Sequence, residues 1–206
     1  MGFGFQVSGF RRSFIDGSVV FALCILMGGC SSSPPSRFYT LSATSIPATT
    51  PSSLSVLVGP VSVPAVVDRP EIVVSLGPNQ VRLEEFNRWG APLQSSIARV
   101  VADNLVALLG TSRVSLLTQA TITEANYRVV VDVRSFESSP GEAATLDALW
   151  SVRRTTDGKT ETGRTMVREA VQEKSYDALA AAHSRALGRL SRDIAAAVRT
   201  LDRSPR

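Results

Sequence analysis

Two cysteines and one histidine among 206 residues leave little reactive chemistry to place. A zinc site takes three or four Cys, His or acidic ligands at close spacing, and Cys24, Cys30 and His183 offer no such cluster. Both cysteines lie in the first 30 residues, so no disulfide staples the body of the chain. Aromatic residues make up only 6%, and no basic run carries interleaved aromatics, which argues against nucleic acid as a partner. No apolar run approaches the roughly 20 residues needed to cross a bilayer. A phosphate-cradling glycine loop, a nucleophile elbow and a metal-ligand pair are also missing. The reading is therefore not an enzyme, with no cofactor and no metal, and any ATP hydrolysis belongs to another subunit.

What is present begins at the N-terminus. Arg11 and Arg12 precede a short apolar run over residues 19–27, and Met27-Gly28-Gly29-Cys30 ends it. A basic segment, an apolar core of roughly 7–15 residues and small residues before a cut site make a secretory signal. The Gly-Gly-Cys ending resembles the lipobox of bacterial lipoproteins, although Met27 stands where Leu is more usual. That resemblance implies cleavage before Cys30, acylation of its thiol and of the new amino terminus, and hence an anchor of several fatty chains. Each buried CH₂ contributes about 0.8 kcal/mol, and two or more chains give stable attachment. An Asp after the Cys would resemble the signal for inner-membrane retention; Ser31 stands there instead, which favours the outer membrane with the domain on its periplasmic side. Phe10-Arg11-Arg12-Ser13-Phe14-Ile15 also resembles a twin-arginine signal, with Asp16 where a basic residue is usual, so the export route stays open between that and the general one.

These features divide the chain into a signal peptide over 1–29, a lipidated tether over 30–36 and one domain over 37–202. The tether, Ser31-Ser32-Ser33-Pro34-Pro35-Ser36, spans at most about 20 Å when extended. Cleavage leaves 177 residues and lowers the net charge from +4 to +3, a mild excess suited to anionic headgroups or an acidic partner. A domain of that size buries about 70% of its unfolded surface and needs no metal or disulfide.

Within the domain, 38–41 reads as a first strand, 43–53 as a solvated crossover loop, and 55–58 as a β-branched strand ended by Gly59-Pro60. Residues 61–67, 72–76 and 81–84 follow as strands, with Pro64 and Pro70 demanding edges or bends. Pro92 suits the first position of a helix over 92–109, where its missing N–H costs nothing. Leu93, Ile97, Val101, Leu105 and Leu108 give that helix an apolar stripe, and Gly110 provides its left-handed stop. Residues 114–117 form a short strand, and 118–126 carry no clear pattern. Tyr127, Val129, Val131 and Val133 alternate with polar residues, as do Leu146, Ala148, Trp150 and Val152; Asp157-Gly158 turns the chain into a returning strand over 164–171, an antiparallel meander with one face buried. Ser175 caps a last helix lined by Leu179, His183, Leu187, Leu190, Ile194, Val198 and Leu201. The expected fold class is α/β: a single layered domain with a mixed, largely antiparallel sheet and two main amphipathic helices.

Several segments are too specific for propensity to explain. They are Val58-Gly59-Pro60-Val61-Ser62-Val63-Pro64, Asp68-Arg69-Pro70-Glu71-Ile72-Val73, Asn87-Arg88-Trp89 with Pro92-Leu93, Leu149-Trp150, Tyr176-Asp177-Ala178-Leu179, Ala182-His183-Ser184-Arg185-Ala186-Leu187 and Leu190-Ser191-Arg192-Asp193-Ile194. In this set the chain resembles the ABC-type transport auxiliary lipoproteins, the PqiC-like group, over 38–198. Val66, where an aromatic is frequent, and Gly90-Ala91, where a small-then-acidic pair is usual, depart from the pattern. The resemblance implies a non-enzymatic, lipid-anchored component of an ABC/MCE-type intermembrane lipid transport system, docking the periplasmic transporter part at the outer membrane with an MCE-domain protein as partner. A stand-alone periplasmic lipid-binding lipoprotein is the alternative; it requires a continuous apolar groove between helix and sheet. Self-association stays open.

Candidate site residues fall in two places. Cys30 is the lipid attachment point. Arg185, Arg189 and Arg192, with Arg199, fall opposite the apolar stripe of the last helix and form a possible partner contact, against the reading of a solvated charged face. Asp68-Arg69-Pro70 reads as a strand connection, Trp89 as a residue packed on the sheet, and His183 as a satisfied residue at the edge of the core.

Overall fold

The computed structural model describes residues 34–117 and 124–205, with 1, 2 and 4. The signal peptide and Cys30 lie outside the described residues. Ser36–Arg206 forms one compact unit. No described helix is long and apolar enough to cross a membrane.

The element order is β1 (Arg37–Tyr39), β2 (Val56–Ser62), β3 (Glu71–Gly77), β4 (Gln80–Trp89), α1 (Leu93–Leu109), β5 (Val114–Leu116), β6 (Tyr127–Ser139), β7 (Ala143–Arg154), β8 (Thr160–Ala170) and α2 (Tyr176–Arg203). Among the described residues the eight strands make one sheet, ordered β1-β4-β3-β6-β2-β5, with β7 and β8 branching from β6. Four pairings are parallel (β1–β4, β2–β5, β2–β6, β3–β6) and three antiparallel (β3–β4, β6–β7, β7–β8). The antiparallel ladders β6–β7 and β7–β8 are the longest, so the mixed α/β layering expected from the sequence is the architecture found.

Both helices cover one face of this sheet. α1 buries Leu93, Ile97, Val100, Val101, Leu105 and Leu109, and stops at Gly110, which adopts φ 64°. Pro92 is the cap residue rather than the first helical one. α2 buries the whole predicted stripe from Leu179 to Leu201, and Ser175 Oγ accepts from the Ala178 N–H at 3.1 Å. Each buried leucine or isoleucine contributes about 1.5–3 kcal/mol, so the stripe alone accounts for α2's seat. The core is contiguous and draws on β2, β3, β6, β7 and both helices.

Three features differ from the sequence reading. Gly59-Pro60 does not end β2; the strand runs through it to Ser62, with the Gly59–Pro60 peptide cis and the ladder to β6 shifting register between Val58 and Val61. β4 is ten residues long rather than four, because its far end pairs with β1 as well as β3. The 43–53 crossover is exposed but not loose. Asn104, buried in α1, accepts from the backbone N–H groups of Thr44 and Ser45 at 3.0 and 2.9 Å, and Ala48 and Ser52 donate to the carbonyls of Ala107 and Gly110. A buried amide oxygen must find donors, and here it finds them by tying the connection across the helix.

Trp150 shows how closely the sheet and α2 fit. Its Nε1 donates to Thr165 Oγ1 at 3.0 Å, and Thr165 Oγ1 donates to Asp193 Oδ2 on α2 at 2.6 Å. The indole lies over its register partner Gly163, where any Cβ would collide with the ring. Overpacking of this kind costs roughly 1–3 kcal/mol. Gly163→Ala is therefore expected to lower stability by about that amount, and to cost distinctly less in a Trp150→Leu background. Urea unfolding of the four proteins of the cycle measures the coupling; equal costs in both backgrounds would show that the ring is not the obstacle.

Candidate interaction surfaces

Three of the motif segments, 58–64, 68–73 and 87–93, come together at one junction. The backbone N–H of Trp89 donates to Pro70 O at 2.7 Å, Arg88 pairs with Glu71 at 2.8 Å, and Gln94 Nε2 donates to Val61 O at 2.5 Å. The exit of β2, the entry of β3, the end of β4 and the start of α1 are thus locked together. Residues 64–69 form the connection, with Val67 and Asp68 both donating to Pro64 O. Asp68-Arg69-Pro70 is a strand connection in the structure. Its specific residues serve the joint, and Arg69 lies 3.6 Å from Glu71.

Trp89 is buried beside this joint. Its ring meets those of Phe136 and His183 edge-on at 6.1 Å, and Phe136 stacks on His183 at 3.8 Å. His183 Nε2 is 2.8 Å from Ser138 Oγ, and Nδ1 has no partner among the described residues. A serine–histidine contact invites comparison with a nucleophile and its base. That chemistry needs an accessible hydroxyl and a third group orienting the ring through its other nitrogen. Both residues are buried, no acid meets Nδ1, and burial lowers the His183 pKa to about 3. The pair is packing between α2 and the sheet, deeper in the core than a core-edge position.

Near the start of α2, Tyr176 packs against Tyr39 of β1 with ring centroids 5.8 Å apart. Burial, then its hydrogen bond to Glu84, pushes the Tyr176 hydroxyl up to about 12. Burial pushes the Glu84 carboxyl up as well, but hydrogen bonds from Tyr176 and Arg82 outweigh it and hold that group below its ordinary value. This network turns Arg82 and Glu84 of β4 toward the helix layer.

The outward arginines of α2 are mostly engaged within the chain. Arg185 Nε and Arg189 Nε reach the two oxygens of Glu169 at 3.2 and 2.6 Å, and Arg199 donates to Leu108 O at 2.5 Å. Arg192 is exposed and has no ion pair among the described residues. Exposed pairs contribute about 0–1 kcal/mol each, far less than the buried stripe. One carboxylate against Arg185, Arg189 and Arg192 leaves that face basic. Cys30 lies outside the described residues, so the structure does not place it beside these arginines.

A second surface escaped the sequence reading. β4 alternates like a half-exposed strand, yet Val81, Leu83 and Phe86 are all exposed, and so are Phe38 on β1 and Val66 in the connection. A groove of about 540 Å³ runs beside them, floored by Val73, Ser75 and Val81 and walled by Val66 and Phe136. Period-2 alternation signals a strand but not what covers its apolar face. The only available clue was Val66, which departs from the usual aromatic.

Acid titration tests the His183 environment. Its folded pKa lies below the ordinary 6.5, so its contribution is intact above about pH 6.5 and is lost as pH falls toward 3, by about 1.4 kcal/mol per unit. His183→Gln keeps an acceptor for Ser138 and removes that term. Unfolding free energies measured between pH 6.5 and 4.5 are expected to fall more steeply for the parent than for the variant; parallel slopes would mean the imidazole is hydrated or paired.

Comparison with known proteins agrees with this geometry. A search of the curated proteins finds no match. Two solved structures share the fold: an uncharacterized protein, 18% identical, with TM-score 0.65 over 80% of this chain and 99% of its own, and XCC0632 from Xanthomonas campestris, of the DUF330 family, 19% identical, with TM-score 0.63 over 82% of this chain and 100% of its own. The family model described as the ABC-type transport auxiliary lipoprotein component matches residues 39–195, from the β1 edge through the β6–β8 meander and most of α2, and the chain belongs to that family.

Proposed function

We propose that this chain is a lipid-anchored, non-enzymatic adaptor of an ABC/MCE-type intermembrane lipid transport system. It holds the periplasmic part of the transporter at the outer membrane. The observation that carries this reading is the family match over 39–195, since that family is an auxiliary component of ABC-type transport. The Gly28-Gly29-Cys30 ending of the apolar run supports the anchor. Acylation of Cys30 restricts the domain to one membrane, while the folded surface supplies affinity for an MCE-domain protein. The basic face of α2, with Arg185 and Arg189 sharing Glu169 and Arg192 outside any ion pair among the described residues, offers a contact for an acidic partner surface.

The alternative, a stand-alone lipid carrier, needs room for acyl chains between helix and sheet. Ligand pockets are typically 300–1,000 Å³, and the apolar cavity between α1 and β2, lined by Val58, Val61, Ala98 and Leu116, is about 220 Å³. The groove of about 540 Å³ is lined by β3, β4, β6 and the 64–67 connection and by no helix residue, so the room between helix and sheet is the small cavity, which supports the adaptor reading.

Genetic dependence separates the two. Deleting the gene is expected to weaken the outer membrane, read as detergent and vancomycin sensitivity, only in cells that also carry the transport partners. An equal defect in cells lacking those partners would contradict the adaptor role.

A further inference from the structure

The exposed apolar side chains are unevenly placed. Six of the twelve exposed large apolar side chains among the described residues, Phe38, Val66, Leu76, Val81, Leu83 and Phe86, belong to the β1–β4–β3 end of the sheet or the connection beside it, whereas Ile46, Val106, Leu117, Leu149 and Met166 are spread over other parts of the fold. Phe38, Val81 and Leu83 share a side. Val81 and Leu83 are register partners of Ser75 and Val73, whereas the alternate residues Ile72 and Val74 are fully buried under the helices. Phe38 pairs with Arg88, while the next pair, Tyr39 and Trp89, packs into the core. Since successive side chains alternate between faces, Phe38, Val81 and Leu83 point away from the helix layer. A clustered apolar surface on a monomer marks a site of contact.

The position of the chain's attachment point indicates what covers it. β1 begins at Arg37, and residues 31–36 between it and Cys30 reach at most about 20 Å. Phe38 is the second residue of that edge strand. An anchor at Cys30 therefore holds this end of the sheet close to the bilayer. Arg37, exposed and without an ion pair among the described residues, adds a cation for anionic headgroups beside Phe38. Apolar side chains of interfacial segments enter the headgroup and acyl boundary by about 5–10 Å, a depth that exposed phenylalanine and leucine can fill.

We infer that the outer face of the β1–β4–β3 end seats against the membrane leaflet that carries the acylated Cys30, with Phe38, Val81 and Leu83 entering the headgroup region. The inference rests on the lipid-anchored reading above. It assigns the domain an orientation: the sheet's apolar end meets the lipid, and the helix layer, with Arg192, faces the periplasm.

Processing at Cys30 removes Cys24 and acylates the remaining cysteine, so an introduced cysteine is the sole free thiol. The full acylated chain carrying Phe38→Cys, Leu83→Cys or, on α1, Val106→Cys is labelled with a polarity-sensitive dye and reconstituted in vesicles of phosphatidylethanolamine and phosphatidylglycerol. Equal unfolding midpoints verify the fold of each variant. Brominated lipids are expected to quench the dye at 38 and 83, with a blue-shifted emission, and to leave position 106 unaffected. Quenching no greater at 38 and 83 than at 106, with Cys30 shown acylated by mass spectrometry, would overturn the membrane seat while leaving the anchor intact. Crosslinking of position 83 to a second copy or to an MCE-domain protein, without lipid quenching, would overturn it in favour of a protein contact. An unacylated Cys30 and failure to float with the vesicles would instead sink the anchor and this inference together.

Discussion

β6 has two edges and more neighbours than edges. β7 follows it from Tyr127 to Ser139 along one side. The other side is shared end to end: β2 takes Tyr127 through Asp132, and β3 meets it at Ser138. Every other strand hangs from one of these three pairings. Because β2 and β3 occupy different lengths of one edge, the chain between them must turn away and return, and residues 63–70 do so. Pro70, Trp89 and Gln94 bind that turn to β4 and α1. The motif residues of 58–64, 68–73 and 87–93 thus sit where the division of β6's edge creates a joint. Their specificity is mechanical.

A single extra residue completes the arrangement. Between Val133 and Ser135 the β6–β7 ladder shifts register, so the inward set changes from Tyr127, Val129, Val131 and Val133 to Phe136 and Ser138. Bulges re-aim side chains in this way. Without it, Ser135 and Glu137 would face α2 in place of the partners of His183. The buried ring, the stacked Phe136 and the edge-on Trp89 all depend on that shift. The same bulge end of β6 lines the outer groove, which ties the core of the molecule to the surface proposed to meet the membrane.

Much of this was legible because it is local. Leu93, Ile97, Val101 and Leu105 repeat at helical spacing, Gly110 stops the first helix, and Ser175 caps the second. The alternation in β6 and β7 announced a meander with one buried face. What was not legible depends on distant partners. Gly59-Pro60 looked like a terminator, yet β6 pairs with β2 up to Val58 and again from Val61, and carries the strand through. Asn104 lies among polar positions of α1 by pattern alone; only the path of the crossover gives its amide donors and a reason to be buried. For the candidate site, the outward arginines of α2 were visible from spacing, but their pairing with Glu169 was not, since that residue comes from a strand 16 positions or more away. The exposed apolar residues of β4 were visible as a strand face and invisible as a surface.

The proposed adaptor would combine a lipid anchor, an apolar sheet end seated on that membrane and a basic helix face turned toward a soluble partner. Affinity purification from gently solubilised membranes tests this most directly, with the tagged protein beside Cys30→Ala and mass spectrometry of the partners and of the mature N-terminus. The account predicts a multiply acylated Cys30 and an MCE-domain protein recovered with the parent. An acylated protein that reproducibly brings down no transport component would contradict it.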